Sequence, residues 1–292
     1  MSDNGAPLLE INELQKFFPI GAGSTVRAVD GVSFQLHEGE IFGLVGESGS
    51  GKSTIARTIM GLYPPTSGQI LYHGQPAHLA KSWRQRNLQM IFQDSAAALN
   101  PYMRVCDIVA EPLRVFRLVK NGPLLGRRVQ ELLAQVGLEA AFLDKRPGEL
   151  SGGQRQRVAI ARSIAVHPKL LVADEPVASL DLSIQAQIIN LFGQLQREYG
   201  FAFLLIAHDL PVVRHLCDRV GVLLRGRMVE LAQTQALFQS PQHPYTKALL
   251  SAAPIADPLR ERQRVILEYN PEQLPENGRL IEQERGHWVY SG

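Results

Sequence analysis

The stretch that most constrains this chain is GESGSGKST, Gly46 to Thr54. It follows an apolar run, EIFGLVG (Glu40–Gly46), and leads into IARTIMGL, which reads as a helix. Glycines at this spacing let the backbone wrap so that successive N–H groups point inward, as phosphate oxygens require. Lys52 supplies a positive charge for β- and γ-phosphates, and the Ser53 hydroxyl is a ligand for Mg2+. The full pattern G-x-x-x-x-G-K-S sits between a strand and a helix, the context in which it acts as a phosphate loop. The expectation is a nucleoside triphosphate bound by Gly46, Glu47, Ser48, Gly49, Ser50, Gly51, Lys52, Ser53 and Thr54. The competing reading is a glycine-rich turn with a chance Lys-Ser.

Around this loop the chain alternates strand-sized apolar runs with helical patterns. Val32, Phe34 and Leu36 alternate with polar residues, and GQILYHGQ and LQMIFQD are further strand candidates in a β-rich first ninety residues. From about Ser95 to Val166 the pattern is helical, notably GRRVQELLAQVGL. Strand runs return at KLLVAD, FAFLLIAH and RVGVLLRGRMVEL, the last a hairpin through its Arg-Gly turn. Buried strands separated by helices imply an α/β fold, a largely parallel sheet with helices on both faces. The helical stretch is an insert between two halves of that sheet. After Ser240 long apolar runs stop and prolines recur (Pro241, Pro244, Pro254, Pro258, Pro271, Pro275), so 241–292 reads as an extension without a core of its own.

At 292 residues, 45% hydrophobic and 20% charged, the chain has the makeup of a soluble globular protein. A net charge of +2 gives no argument for nucleic acid as a partner. Cys106 and Cys217 are too few for a disulfide framework, which suggests a reducing compartment. MSDNGAPLLE has no signal-peptide pattern, and no run approaches the length of a membrane span. Any membrane work would need another chain to span it.

Further candidates for chemistry lie downstream. LLVADE ends an apolar strand in two adjacent carboxylates: Asp174 would partner Mg2+, and Glu175 would act as general base on an attacking water. The alternative is a pair of surface carboxylates closing a strand. His208 follows the strand FLLIA and is either structural or a γ-phosphate sensor beside Glu175. Gln93 ends LQMIF, where an amide could reach metal or water. LSGGQRQR, Leu150 to Arg157, places a serine and two glycines before a second long helical pattern, a second anion-binding helix start.

In this order, GESGSGKST, Gln93, LSGGQ, LLVADE, SLD (Ser179–Asp181) and His208 resemble the ATP-binding-cassette ATPases over most of residues 8–240. The resemblance implies a phosphate-loop NTPase fold with a RecA-like mostly parallel sheet, an antiparallel β-subdomain and a helical insert over about 95–166. It implies ATP and Mg2+ as ligands, with Ser53, Gln93 and Asp174 at the metal. It also accounts for two anion sites: Ser151, Gly152, Gly153 and Gln154 serve the ATP held by a second cassette, head to tail. Asp181 falls at that dimer seam by the same resemblance. Phe18 matches the aromatic that stacks on adenine, with Phe17 as rival and a core role as the alternative for both.

VGESGSGKST, MIFQD…LNP, DEPVASLDLSIQAQIINL and HPYTKALLSAAP (His243–Pro254) further resemble ATPase subunits of bacterial importers for oligopeptides, dipeptides and nickel. The implied assembly is two cassettes, often non-identical, beneath two membrane-spanning permease subunits. It lies on the cytoplasmic face of the inner membrane, and an extracytoplasmic binding protein delivers substrate. The insert near Gln93–Arg117 would receive the permeases. The implied domains are a cassette over 1–240 and an importer-type extension over 241–292. Two departures stand out. Ser95-Ala-Ala replaces a commoner Pro-Ser pattern, and residues 218–292 contain no cysteine, Tyr290 standing where the last of a cluster is expected. No iron–sulfur cluster is expected. Arg127, Arg128, Arg155, Arg157, Arg260, Arg262 and Arg264 read as solvated faces or ion-pair partners, the last three alternatively as a contact to a partner subunit or lipid. A soluble relative acting on nucleic acid or the ribosome is the alternative from another class, opposed by the short insert and single cassette. An exporter ATPase is opposed by the HPYTKALLSAAP segment.

Overall fold

The computed structural model describes residues 6–21, 23–78, 81–120, 122–253, 264–275 and 277–292. Pro254, Pro258, Arg260 and Arg262 lie outside them. In chain order the elements are β1 (Leu9–Pro19), β2 (Thr25–Leu36), β3 (Ile41–Val45), α1 (Lys52–Ile59), β4 (Ser67–Tyr72), β5 (Gln75–Pro76), α2 (Lys81–Asn87) and β6 (Leu88–Ile91). Then come α3 (Ser95–Ala98), α4 (Val105–Val115), α5 (Pro123–Gln135), α6 (Gly152–Ile164), β7 (Leu170–Asp174), α7 (Leu182–Tyr199) and β8 (Ala202–Ile206). The chain closes with α8 (Leu210–Leu216), β9 (Arg219–Leu224), β10 (Arg227–Gln233), α9 (Thr234–Gln239), α10 (Pro244–Ser251), β11 (Arg279–Glu284) and β12 (His287–Ser291). They form two compact units, one of residues 1–79 with 204–292 and one of residues 80–203.

The first unit holds two sheets. One is antiparallel, in the order β2-β1-β4-β5, and its inner face comes from the alternation read in the sequence: Leu9, Ile11, Val32, Phe34 and Leu36 are all buried. The second has β3 parallel to β9, with β8 on the other side of β3. Every residue of β3 and of the β8 run is buried, the pattern of a strand covered on both faces. Phe34 stacks on Phe42 at 4.9 Å, joining the two sheets.

Beyond β9 this sheet turns antiparallel, through β10 and then β12 and β11. Arg225 (φ 47) and Gly226 (φ 79) form the two-residue turn between β9 and β10; positive φ at both centres matches the twist of the strands it joins. The 241–292 segment thus has more structure than its composition suggests. It contributes α10 and a hairpin that extends the sheet, Glu230 pairing with Val289 and Leu231 with Trp288. β11 is exposed along almost its whole length, so it leaves no buried alternation in the sequence. Tyr290 fastens this hairpin: its hydroxyl accepts from Arg227 Nη1 (2.8 Å) and donates to the Pro275 carbonyl (2.9 Å). Arg227 in turn pairs with Asp30 at 2.9 Å.

In the second unit β6 and β7 run parallel in the register Leu88↔Leu170 to Ile91↔Ala173. Helices α4, α5 and α6 bury Val109, Leu113, Val129, Leu132, Leu133, Val158 and Ile160. Each such side chain contributes about 1.5–3 kcal/mol by leaving water. Arg155 and Arg157 are half-buried and donate to backbone carbonyls. Arg155 Nη1 donates to the Leu150 carbonyl (2.6 Å), and Arg157 Nη1 to that of Val136 (2.6 Å). Arg128 pairs with Glu131 at 3.1 Å, as expected of a helix face. Both cysteines are free, and burial raises the pKa of each thiol, most strongly at Cys217. Among the described residues no helix is long and apolar enough to cross a membrane.

Candidate nucleotide site

The phosphate loop links β3 to α1 within the first unit. Gly46 (φ 148), Gly49 (φ 79) and Gly51 (φ 108) take conformations that L side chains rarely adopt. Space excludes a side chain at two of them as well: a Cβ on Gly46 would lie 2.2 Å from the Leu223 carbonyl oxygen, and one on Gly51 2.2 Å from that of Ala28. The loop is braced from outside by the β9–β10 turn, where Gly226 N–H donates to the Ser50 carbonyl (2.9 Å).

Lys52 is only 4% exposed. A buried ammonium must be surrounded by acceptors. It donates to the carbonyls of Gly46 (2.7 Å) and Glu47 (2.8 Å) and lies 3.4 Å from Ser50 Oγ. The charge is thereby held at the start of α1, whose cap, Gly51, has no side chain to occupy the first N–H groups. Ser48 and Gly49 are exposed, Ser53 and Thr54 half-buried. A fixed cation, a bare helix start and a glycine cradle make the donor set that a triphosphate needs. His208 is exposed, directly after Ala207, whose N–H donates to Leu44 at the end of β3 (3.2 Å). It therefore stands at the same sheet edge as the loop.

The second unit assembles the carboxylates. Asp174, the last residue of β7, is 1% exposed. Glu175 is half-buried and adopts φ 46, a left-handed conformation that takes it out of the strand. The β6–β7 register sets Gln93 opposite Glu175, two residues past Ile91 and Ala173. Gln93 Nε2 donates to Glu175 Oε2 at 3.0 Å. An ionised carboxylate only accepts, so the amide nitrogen has to face it. The pair leaves the second carboxylate oxygen of Glu175 outside that bond.

The signature segment starts α6. Ser151 is its cap: Oγ accepts from Gln154 N–H (3.3 Å), and Gln154 Oε1 accepts from Ser151 N–H (2.9 Å). This is a reciprocal capping box, so Ser151 Oγ and Gln154 Oε1 serve their own helix. Gly152 and Gly153 offer the remaining amides. Gly153 is buried, and a Cβ there would lie 2.6 Å from Ile184 Cγ2, so α7 requires glycine at this position. Asp181 caps α7 without a reciprocal bond, accepting from Ile184 N–H (3.0 Å) and the Ser183 hydroxyl (2.6 Å); these bonds lower its pKa. It is exposed.

Phe17 and Phe18 are both half-buried. Phe18 meets Tyr63 edge-on at 5.3 Å, with Lys16 Nζ 5.0 Å from its ring centre, and Phe17 faces Arg27 at 5.4 Å. The residue reading missed one contact to the loop altogether. Glu47 N–H donates to the hydroxyl of Tyr245 at 3.1 Å. Tyr245 lies in the HPYTKALLSAAP segment, which the sequence identified only as a motif.

The ABC transporter family profile matches residues 29–178, and that of the oligopeptide/dipeptide transporter C-terminal region matches 229–279. The oligopeptide transport ATP-binding protein OppF of Bacillus subtilis is 48% identical over 291 residues, covering 97% of this chain and 95% of the relative. OppF of Streptococcus mutans is 47% identical over 275 residues, 93% of this chain and 89% of the relative. Among solved structures, the ATP-binding cassette MJ0796, in a dimeric post-hydrolysis state bound to ADP and Pi, superposes with TM-score 0.69 at 29% identity, covering 77% of this chain and 98% of that one. The cbiO1 protein of Clostridium perfringens, part of an ABC transporter complex, gives TM-score 0.70 at 28% identity, covering 80% and 92%.

Proposed function

We propose a working cycle for this chain on one premise: it belongs to the ABC transporter ATPases, and within them to the oligopeptide and dipeptide transporters. It is the ATP-hydrolysing subunit of a bacterial ABC importer for oligopeptides. Gly46 to Thr54 hold the triphosphate, with Lys52 on the β- and γ-phosphates and Phe18 against the adenine. Ser53, Gln93 and Asp174 would hold Mg2+, whose charge would offset that of the phosphates. Glu175 takes a proton from the attacking water as the water oxygen bonds to the γ-phosphorus. The bond from that phosphorus to the bridging oxygen breaks, leaving ADP and inorganic phosphate. His208 donates to the γ-phosphate and holds the water in line.

The observation that carries this assignment is the hydrogen bond between Gln93 and Glu175, which holds a carboxylate in place beside the aspartate that ends β7. Ser151 to Gln154 close on the nucleotide of a second cassette, a non-identical homologue, with Asp181 at the seam. A helix start favours anions more strongly once water is excluded, so closure depends on the γ-phosphate and hydrolysis releases it. Residues 1–240 form the cassette, with a helical insert over about 95–166; the part near Gln93–Arg117 receives the permease subunits, two cassettes lying beneath two permeases at the cytoplasmic face of the inner membrane. An extracytoplasmic binding protein supplies the substrate. Residues 241–292 form the extension. It lacks an iron–sulfur centre, since no cysteine follows Cys217.

Glu175→Gln tests the assignment. Its hydrolysis should fall about 10²–10⁴-fold while ATP binding is retained. Recovered from detergent-solubilised cells with Mg-ATP, the tagged variant should carry two membrane-spanning proteins and a second cassette. Ribosomes or nucleic acid without a membrane protein would overturn the importer reading. Undiminished turnover would overturn the role of Glu175.

A further inference from the structure

The peptide unit between Gly46 and Glu47 is held at both ends. Its carbonyl accepts from Lys52 Nζ (2.7 Å), and its N–H donates to the Tyr245 hydroxyl (3.1 Å). A trans peptide is planar with C=O and N–H opposed, so fixing one direction fixes the other. Gly46, at φ 148, offers little resistance to rotation of this unit. An external anchor is what keeps its carbonyl on the lysine. Tyr245 is 2% exposed, and burial pushes its phenol up to about 12, so it stays neutral and available as an acceptor.

The anchor is itself fixed. Tyr245 N–H donates to His243 Nδ1 (3.1 Å) at the cap of α10, and burial lowers the His243 pKa, in keeping with an accepting ring nitrogen. Glu230, 0% exposed on β10, accepts from the N–H groups of Gln242 (2.8 Å) and His243 (3.0 Å). His287 of β12 completes the set at 2.7 Å from Glu230 Oε1. Hydrogen bonds therefore run from the C-terminal hairpin through Glu230, His243 and Tyr245 to the phosphate loop.

We propose that Tyr245 is a positioning residue for Lys52, and that the C-terminal extension serves to hold the nucleotide loop in its binding shape through the Glu47 N–H to Tyr245 hydroxyl bond. This rests on the reading that the loop binds ATP, and it assigns the extension a task.

The test is Tyr245→Phe in the full chain, which keeps the ring and removes the acceptor. Loss of one such bond should weaken Mg-ADP and Mg-ATP binding about fivefold, with the unfolding temperature of the nucleotide-free protein unchanged. Thr246→Val is the packing control. The Thr246 hydroxyl is buried without a hydrogen-bond partner among the described residues, so its removal should leave binding unchanged. Equal weakening in both variants, or none in Tyr245→Phe, would overturn the proposal. Lys52→Ala separates this from failure of the loop reading, because it should lose nucleotide whatever Tyr245 does. Should Tyr245→Phe not fold, amide exchange in the unaltered chain decides. The Glu47 amide should exchange more slowly than those of Ser48 and Gly49, and equal rates would sink the idea.

Discussion

The two helix starts that the sequence marks as anion sites are built in opposite ways. At α1 the cap is Gly51, without a side-chain bond, and the charge beside it is a buried lysine. At α6 the cap is Ser151, closed on Gln154 by a reciprocal pair of hydrogen bonds, and α7 is capped by the Asp181 side chain, which accepts from Ile184 N–H. A bare start keeps its donors available for a ligand. A capped start has satisfied part of its own demand, so it favours anions weakly until another surface excludes water. The first start is suited to hold a phosphate within one chain, the second to respond to one brought by a partner.

Lys52→Ala should break this contrast most severely. Removing the ammonium leaves the carbonyls of Gly46 and Glu47 facing a cavity and the phosphates without a cation. Mg-ATP affinity should drop by about 100-fold or more, read by equilibrium titration. Tight binding retained in this variant would refute the loop assignment.

At the capped start, Gly153→Ala should act through packing instead. Its Cβ meets Ile184 Cγ2 at 2.6 Å, and overpacking of this kind costs about 1–3 kcal/mol. Thermal unfolding should register the loss, with nucleotide binding at the loop intact. Ile184→Ala in the same chain, which removes the Cγ2 methyl, should recover part of it, whereas an unshifted midpoint in Gly153→Ala would show that α6 and α7 can separate freely.

The smallest effect concerns Asp181. Its folded pKa is lowered by the Ser183 hydroxyl and the Ile184 N–H, so the unfolded chain binds the proton more readily. The cap's stabilisation is therefore complete above the ordinary carboxylate value of about 3.9 and fades as pH falls through the lower folded value. Acid unfolding curves of Asp181→Asn should lack this component. An identical pH dependence in the two proteins would remove Asp181 from the cap.

Much of the site was legible in the sequence because its parts are local. Glycine spacing, a Lys-Ser pair, an Asp-Glu strand end and an S-G-G-Q helix start each declare a conformation within a few residues. The antiparallel half of the sheet was legible only as far as the β9–β10 hairpin. β11 was not, since a mostly exposed strand carries no buried alternation, and β12 buries only His287 and Val289, too short a pattern to read. Arg155 and Arg157 read as solvated or ion-paired because charge predicts exposure or a charged partner. Their partners include backbone carbonyls, which residue identities do not announce.

By itself the sequence determined the α/β class, the phosphate loop, the candidate carboxylates and the family, all consequences of short-range geometry and residue chemistry. Tertiary structure decided which of these groups meet. Gln93 reaches Glu175 across 82 residues because two parallel strands share a register, and Tyr245 reaches Glu47 across 198 because the extension folds back on the sheet. A hydrogen bond spans about 3 Å whatever the distance along the chain. Only the packing of strands and helices can bring such pairs within that reach.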